Sequence, residues 1–194
     1  MTPSQQLKKA TKKAHANLEV SVMHRLLFNP DMDKDGYSSI LSGFFALFNP
    51  LECELNKHII CQKIGYINRT EDLGNDLTEL GWTKDRISKV LAKSKLPEAK
   101  TPEQAIGIAY VLHGSRSGSP YIHAQLVKNP RLSDYRQQAM RFFSNQGIDE
   151  TKQNWQVFKD NLDNYFNLHP EFDLYKAIDS AIMTFAVFRQ QFAE

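Results

Sequence analysis

The sequence predicts an all-α fold, a single-domain helical bundle over residues 1–194, on three observations. Apolar residues recur at spacings of three and four in several segments. No segment sustains the strict alternation of a half-buried strand. The connections are short, with no internal repeat and no low-complexity linker to divide the chain.

The elements follow in order. Thr2-Pro3 is a helix start with proline at a tolerated early position, and Leu7, Thr11, Ala14, Leu18 and Val22 share the face that follows. After the turn NPDMDKDG, a second helix is expected from about Tyr37 to about Ile64, with Ile40, Leu41, Phe44, Leu47, Phe48, Leu51 and Leu55 as its apolar face. Pro50 removes one backbone donor inside it and predicts a kink. Shorter helices are expected over about 69–80 and 83–92, and KSKLPEAKTP reads as a surface connection. Thr101-Pro102-Glu103-Gln104 supplies a cap, a first-turn proline and a capping-box glutamine for the next helix. Further helices are expected around 121–128, 133–144, 149–166 and 171–193.

Composition narrows the function. At 41% hydrophobic, 194 residues can bury one substantial core. A net charge of +2, from 24 basic and 22 acidic residues, lacks the concentrated basic face of a nucleic-acid binder. The longest apolar stretches, IAYVL and GFFALF, fall far short of the roughly 20 residues of a membrane span. MTPSQQLKKA has no apolar signal core, so a cytoplasmic protein is expected. Cys53 and Cys61 lie eight residues apart in one helical pattern. That spacing puts their α-carbons about 12 Å apart, too far for a disulfide, and free buried thiols are expected.

Two segments carry candidate chemistry. On a helix turning about 100° per residue, His15 falls about 40° from Thr11 and about 20° from Lys8, so an imidazole and an ammonium line one apolar edge. His15 is then either a core histidine with a hydrogen bond or a metal ligand whose second nitrogen is held by Glu19 at i+4. The second segment is YVLHGSRSGSPYI, residues 110–122, where two glycines, three serines and a proline interrupt an apolar helix. Gly114 and Gly118, four apart, present bare backbone on one side, while Ser115, Ser117 and Ser119 add hydroxyls without bulk. A helix end and turn would explain Gly114 and Pro120, and a flat ligand lying against the backbone would also explain Gly118. His113, His123 and Arg116 flank this stretch as surface or structural residues, or as contacts to such a ligand.

Leu7-Lys8-Lys9-Ala10-Thr11-Lys12-Lys13-Ala14-His15, with Glu19 following, resembles the proximal helix of haem oxygenases, whose pattern is L-K-x-A-T-x-x-x-H with glutamate four residues on. Asp35-Gly36-Tyr37 and the Phe44-to-Glu54 segment resemble the family's second helix. Gly114-Ser115-x-x-Gly118 resembles the distal helix of the bacterial, biliverdin-producing branch, and Phe142-Phe143 and Phe158-Lys159 also match. The resemblance spans most of residues 5 to 190.

The resemblance implies oxygen- and electron-dependent cleavage of haem to biliverdin, ferrous iron and carbon monoxide, with haem as both substrate and cofactor. His15 would be the axial iron ligand, with Glu19 hydrogen-bonded to it and Thr11 on the same edge. Lys8, Lys159 and, more weakly, Lys12 would stand near the propionates. Gly114, Ser115 and Gly118 would form the distal wall, with Ser115 in place of the aspartate of the animal enzymes, as in bacterial members. Asp163 stands where the animal enzymes place a propionate-binding arginine, and Ser119 replaces a glycine. Both departures bear on haem orientation. No dinucleotide fingerprint appears, so electrons come from an external donor such as a ferredoxin or flavoprotein. Two alternatives stay open: haem binding without turnover, and a non-haem metal oxidase using Glu54 and His58 at i, i+4.

Overall fold

The computed structural model describes residues 1–19, 22–144 and 148–193, the side chains of Glu19 and of residues 22–24 excepted. The order is α1 (Pro3–Glu19), α2 (Val22–Leu27), α3 (Lys34–Leu55), α4 (Ile59–Lys63), α5 (Thr70–Glu79), α6 (Lys84–Ser88), α7 (Pro102–Ser115), α8 (Ser119–Leu126), α9 (Arg141–Ser144), α10 (Ile148–Leu168) and α11 (Leu174–Gln191). Three-residue and six-residue 3-10 segments, Arg116–Gly118 and Pro130–Tyr135, precede α8 and α9. No strand occurs among the described residues, and the all-α expectation holds.

α7 is the central rod. Every residue from Ala105 to His113 is buried, so it is apolar all round rather than amphipathic. The expected capping box starts it: Thr101 accepts from the Gln104 N–H, and the Gln104 side chain accepts from the Thr101 N–H. α7 packs chiefly on α11. Gly107 permits this, since a Cβ there would meet the Ala177 carbonyl oxygen at 2.2 Å. Ser180 Oγ ties the pair by donating to the Gln104 carbonyl. α1 lies across α11 and α10, and α3 packs on α5, α7 and α11. Phe44, Phe48, Phe142, Phe188 and Phe192 fill the junction with ring centroids 5.1–6.3 Å apart.

Several expectations need correction. The second helix does not reach Ile64: it runs through Pro50 to Leu55, and His58, in an extended conformation, breaks it before α4. Cys53 and Cys61 therefore sit on different helices; both are free, but only Cys61 is buried and Cys53 is exposed. The 83–92 helix is a single turn, Lys84–Ser88, because α5 and α6 are separated by Gly81 at φ 88° and little of this segment packs on the core. The 133–144 helix is instead a 3-10 segment and the short α9. There the buried Asp76 carboxylate accepts from the N–H groups of Arg141 and Phe142, a tertiary cap that fixes the turn.

Candidate active site

One cavity of about 600 Å³ opens between α1, the α7–α8 turn, α10 and α11. Most of its wall is aromatic or aliphatic, including Phe44, Phe142, Phe143, Trp155, Phe185 and Phe188. Its charged lining residues are Lys8, Lys12, Arg69, Arg116 and Lys159, and no carboxylate lines it among the described residues. Such a space suits a large, flat, apolar ligand carrying negative charge.

α1 supplies one wall with Lys8, Thr11, Lys12, His15 and Leu18. The arithmetic of helix rotation thus places the histidine edge as expected, but His15 is exposed rather than buried, because its face borders the cavity and not the core. Its ring meets Phe185 edge-on at 5.8 Å. The Thr11 hydroxyl donates to the Leu7 carbonyl at 2.8 Å. Lys8 and Lys12 are exposed at the rim. The expected contact from Glu19 to His15 lies outside the described residues.

Facing α1 is the α7–α8 turn. The chain stays helical through it: α7 runs past Gly114 to Ser115, Arg116–Gly118 tightens to a 3-10 turn, and α8 continues from Ser119 with Pro120 in its first turn. Neither glycine needs a positive φ. Their roles differ instead by what surrounds them. A Cβ on Gly114 would touch the Trp155 indole at 3.4 Å, whereas a Cβ on Gly118 would meet nothing within 4 Å. Gly118 leaves open space on the cavity wall. Ser115 also lines the cavity, but its hydroxyl donates back to the Leu112 carbonyl at 2.7 Å.

Lys159 reaches the wall from α10, with its ammonium bonded to Gln156 Oε1 at 2.8 Å and 5.9 Å from the Trp155 ring centroid. Asp163, one turn on, does not line the cavity: it accepts from Ser4 N at 2.6 Å and Ser4 Oγ at 2.8 Å, fastening the start of α1 to α10. The Glu54–His58 pair is likewise accounted for. Glu54 pairs with Lys57, and the His58 ring bonds the Ala99 carbonyl oxygen at 2.7 Å. No cluster of three metal-ligating side chains occurs among the described residues, and the metal-oxidase alternative loses its only pair.

Two wall residues, Trp155 and Arg69, were not named from the sequence, and a third, Arg116, was left between a surface or structural role and a ligand contact. Trp155 lies one turn before Lys159, and that i−4 spacing was the signal available. Arg116 sits in the turn itself and is 8% exposed. Burial, and then the nearby Arg69 charge, lower its pKa from the ordinary value. Arg69, 2% exposed, comes from a distant loop: its backbone N–H donates to Glu52, and its guanidinium donates to Asp72, Arg141 O and Phe142 O. No local motif marks it. His113, by contrast, is structural: it is buried, stacked on Phe158, and held neutral by burial and the Arg116 charge, with its pKa pushed down to about 3.

A family model described as "Heme oxygenase" matches residues 1–194. Among solved structures, the heme oxygenase of Leptospira interrogans superposes with a TM-score of 0.74 at 20% identity, over 100% of this chain and 99% of that one. Heme oxygenase-2 of Synechocystis, in complex with heme and NO, gives 0.76 at 19%, over 99% and 84%. The NO- and CO-bound heme oxygenase of Neisseria meningitidis gives 0.72 at 24%, over 99% and 92%. No curated protein matches the chain. At these identities the superpositions establish the fold, and the family model establishes the kinship.

Proposed function

The chain belongs to the haem oxygenase family and is a haem-degrading enzyme, and we propose that its cavity seats haem between His15 and the Gly114–Gly118 backbone and opens the ring to biliverdin, ferrous iron and carbon monoxide. The observation that carries this reading is the lining itself: five cations, no described carboxylate, aromatic walls, and a glycine facing empty space opposite a histidine. Two propionates and a flat apolar ring fit that set. Bound there, haem supplies both the ring to be cleaved and the iron that activates oxygen, with electrons drawn from an external ferredoxin or flavoprotein.

The protein's contribution is placement. His15, whose ring lies edge-on to Phe185, is the residue that would hold the iron. Lys8, Lys12 and Lys159 draw the propionates to the rim, where the ammonium groups remain hydrated and pay little desolvation. Trp155 and Phe143 exclude water along the ring faces. Gly118 lets backbone approach the ring where any side chain would intrude. Gly114 lies against the Trp155 indole, which a Cβ there would meet at 3.4 Å. The Ser115 hydroxyl donates to Leu112 O and so orients the turn. The exposed opposite side of α1, bearing Lys9 and Lys13, is a docking face for an acidic electron donor in the cytoplasm.

Hemin titration of His15→Ala tests the ligand assignment. The variant is expected to lose the histidine-ligated Soret spectrum and to bind hemin more weakly. Retention of the wild-type spectrum and affinity would remove His15 from the iron.

A further inference from the structure

α5 grips the start of α9 from two sides. Arg69, the residue just before α5, is 2% exposed, and its Nη2 donates to the carbonyls of Arg141 and Phe142 at 3.1 and 2.7 Å. Asp76, about two turns further along α5 and fully buried, accepts from the N–H groups of the same two residues at 2.9 and 2.8 Å. The carbonyls are thus held by a cation and the amides by an anion. Each charge has further support: Arg69 Nε donates to Asp72 at 2.8 Å, and Arg141 Nη1 lies 3.6 Å from Asp76. Burial raises the Asp76 pKa to about 6, against the pull of the two N–H groups and of Arg141, so the carboxylate is ionised at neutral pH. α9 is a single turn, Arg141–Ser144, too short to hold its place unaided.

What the clamp presents is cavity wall. Phe142 and Phe143 both line the cavity and pack on Phe44 at 5.2 and 5.8 Å, and Phe142 also lies 5.2 Å from Phe48. Asp76 is absent from the lining and acts on the cavity only through these rings. Close-packed rings do not shift singly, so a displaced α9 reshapes that stretch of wall. The lysine rim is solvated, and its screened charges attract propionates without the rigidity to choose among orientations of a flat ring.

We propose that Asp76 is a positioning residue for ring opening: with Arg69 it clamps residues 141–142, and by fixing where the Phe142 and Phe143 rings stand it selects the orientation of the bound macrocycle and hence which bridging carbon is opened. The clamp belongs to the haem-free chain, and only its consequence rests on the function proposed above.

Two arms test this on the full chain. In the haem-free protein, the Arg141 and Phe142 amides are expected to exchange hydrogen slowly in the wild type. In Asp76→Asn, which keeps one acceptor and loses the charge, they are expected to exchange about tenfold or more faster, beyond any acceleration of the α7 amides of Ala109 and Val111, which report global unfolding. In the hemin-loaded, cyanide-bound protein, the haem methyl proton resonances of Asp76→Asn are expected to show a second orientation. Turnover of that variant with ascorbate is expected to change the ratio of biliverdin isomers about threefold or more. A merely structural residue would lower stability without moving that ratio. Phe142→Leu, which trims the wall and leaves both capped amides in place, is expected to move the ratio as well, and it carries the second arm if Asp76→Asn does not fold. Fast exchange of both amides in the wild type would overturn the proposal, as would unchanged haem resonances and isomer ratio in the variant that folds. If exchange behaves as expected but the wild type binds no hemin, the clamp stands, and the haem reading falls together with the positioning role.

Discussion

His113 and Phe158 stack face to face, with ring centroids 4.4 Å apart and planes 9° from parallel. Trp155 extends the stack, 5.4 Å from Phe158 and 14° from its plane. Behind the α7–α8 turn an aromatic column therefore joins α7 to α10 and braces the indole that faces the cavity. A charged imidazole would be expelled from that column.

The first prediction is a pH dependence. Burial, and secondly the Arg116 charge, hold the His113 pKa at about 3 against 6.5 unfolded. A depressed base contributes stability that is fully present above pH 6.5 and is lost as pH falls toward 3, because only the unfolded chain takes up the proton. Relative to His113→Phe, the wild type is expected to lose about 1.4 kcal/mol per pH unit below about 6. Urea unfolding of both proteins at pH 7.5, 5.5 and 4.5 checks this. A pH-independent difference would show that the histidine titrates normally.

Two glycines predict opposite outcomes. Gly107→Ala drives a methyl into the Ala177 carbonyl and is expected to cost about 3 kcal/mol by forcing α7 from α11. Gly118→Ala places its methyl in open space at an ordinary φ of −86°. It is expected to leave the haem-free fold as stable or up to about 1 kcal/mol more stable. Hemin affinity should nevertheless drop, because the methyl occupies the wall where the ring lies. Thermal melts and hemin titrations of the two variants separate packing from binding.

Much of this arrangement was legible beforehand. The histidine edge of α1, the capping box and the glycine pair follow from helical rotation and backbone chemistry, which act within a few residues. Arg69, Asp76 and Glu52 were not legible. Glu52 accepts from Arg69 N, Thr70 N, Thr70 Oγ1 and Tyr66 OH, and Asp76 caps Arg141 and Phe142, so both are buried carboxylates satisfied by chain 14 to 66 residues away. Such partners leave no periodic trace. The break after Leu55 was missed for a related reason: apolar spacing continues through Ile59 and Ile60, although the chain turns at His58 to let its ring bond Ala99 O.

Asp163 supplies a third prediction. Its carboxylate grips the first turn of α1, capping Ser4 N from another helix. Asp163→Ala is expected to cost about 1–2 kcal/mol of stability while leaving hemin affinity of the folded protein within twofold. Replacing it with arginine should not create a propionate clamp, since the side chain starts outside the cavity. Chemical unfolding beside hemin titration distinguishes a tether from a ligand contact.

The rim lysines make a fourth. Lys8→Ala, Lys12→Ala and the half-buried Lys159→Ala are each expected to weaken hemin binding a few-fold and to flatten its salt dependence, since ammonium groups at a solvated rim act through screened attraction. Binding of haem dimethyl ester should be insensitive to all three. Equal losses with haem and its ester would mean that the lysine stems pack on the ring and their charges are idle.

The central claim is that this cavity opens haem, and an absorbance time course tests it most directly. The chain is loaded with one equivalent of hemin and given ascorbate in air, with catalase present to remove free peroxide. The account predicts loss of the Soret band with growth of a broad red biliverdin band, at a rate abolished in His15→Ala. A Soret band that persists, with ferrous or oxygen-bound features and no red product even when a reductase replaces ascorbate, would contradict it.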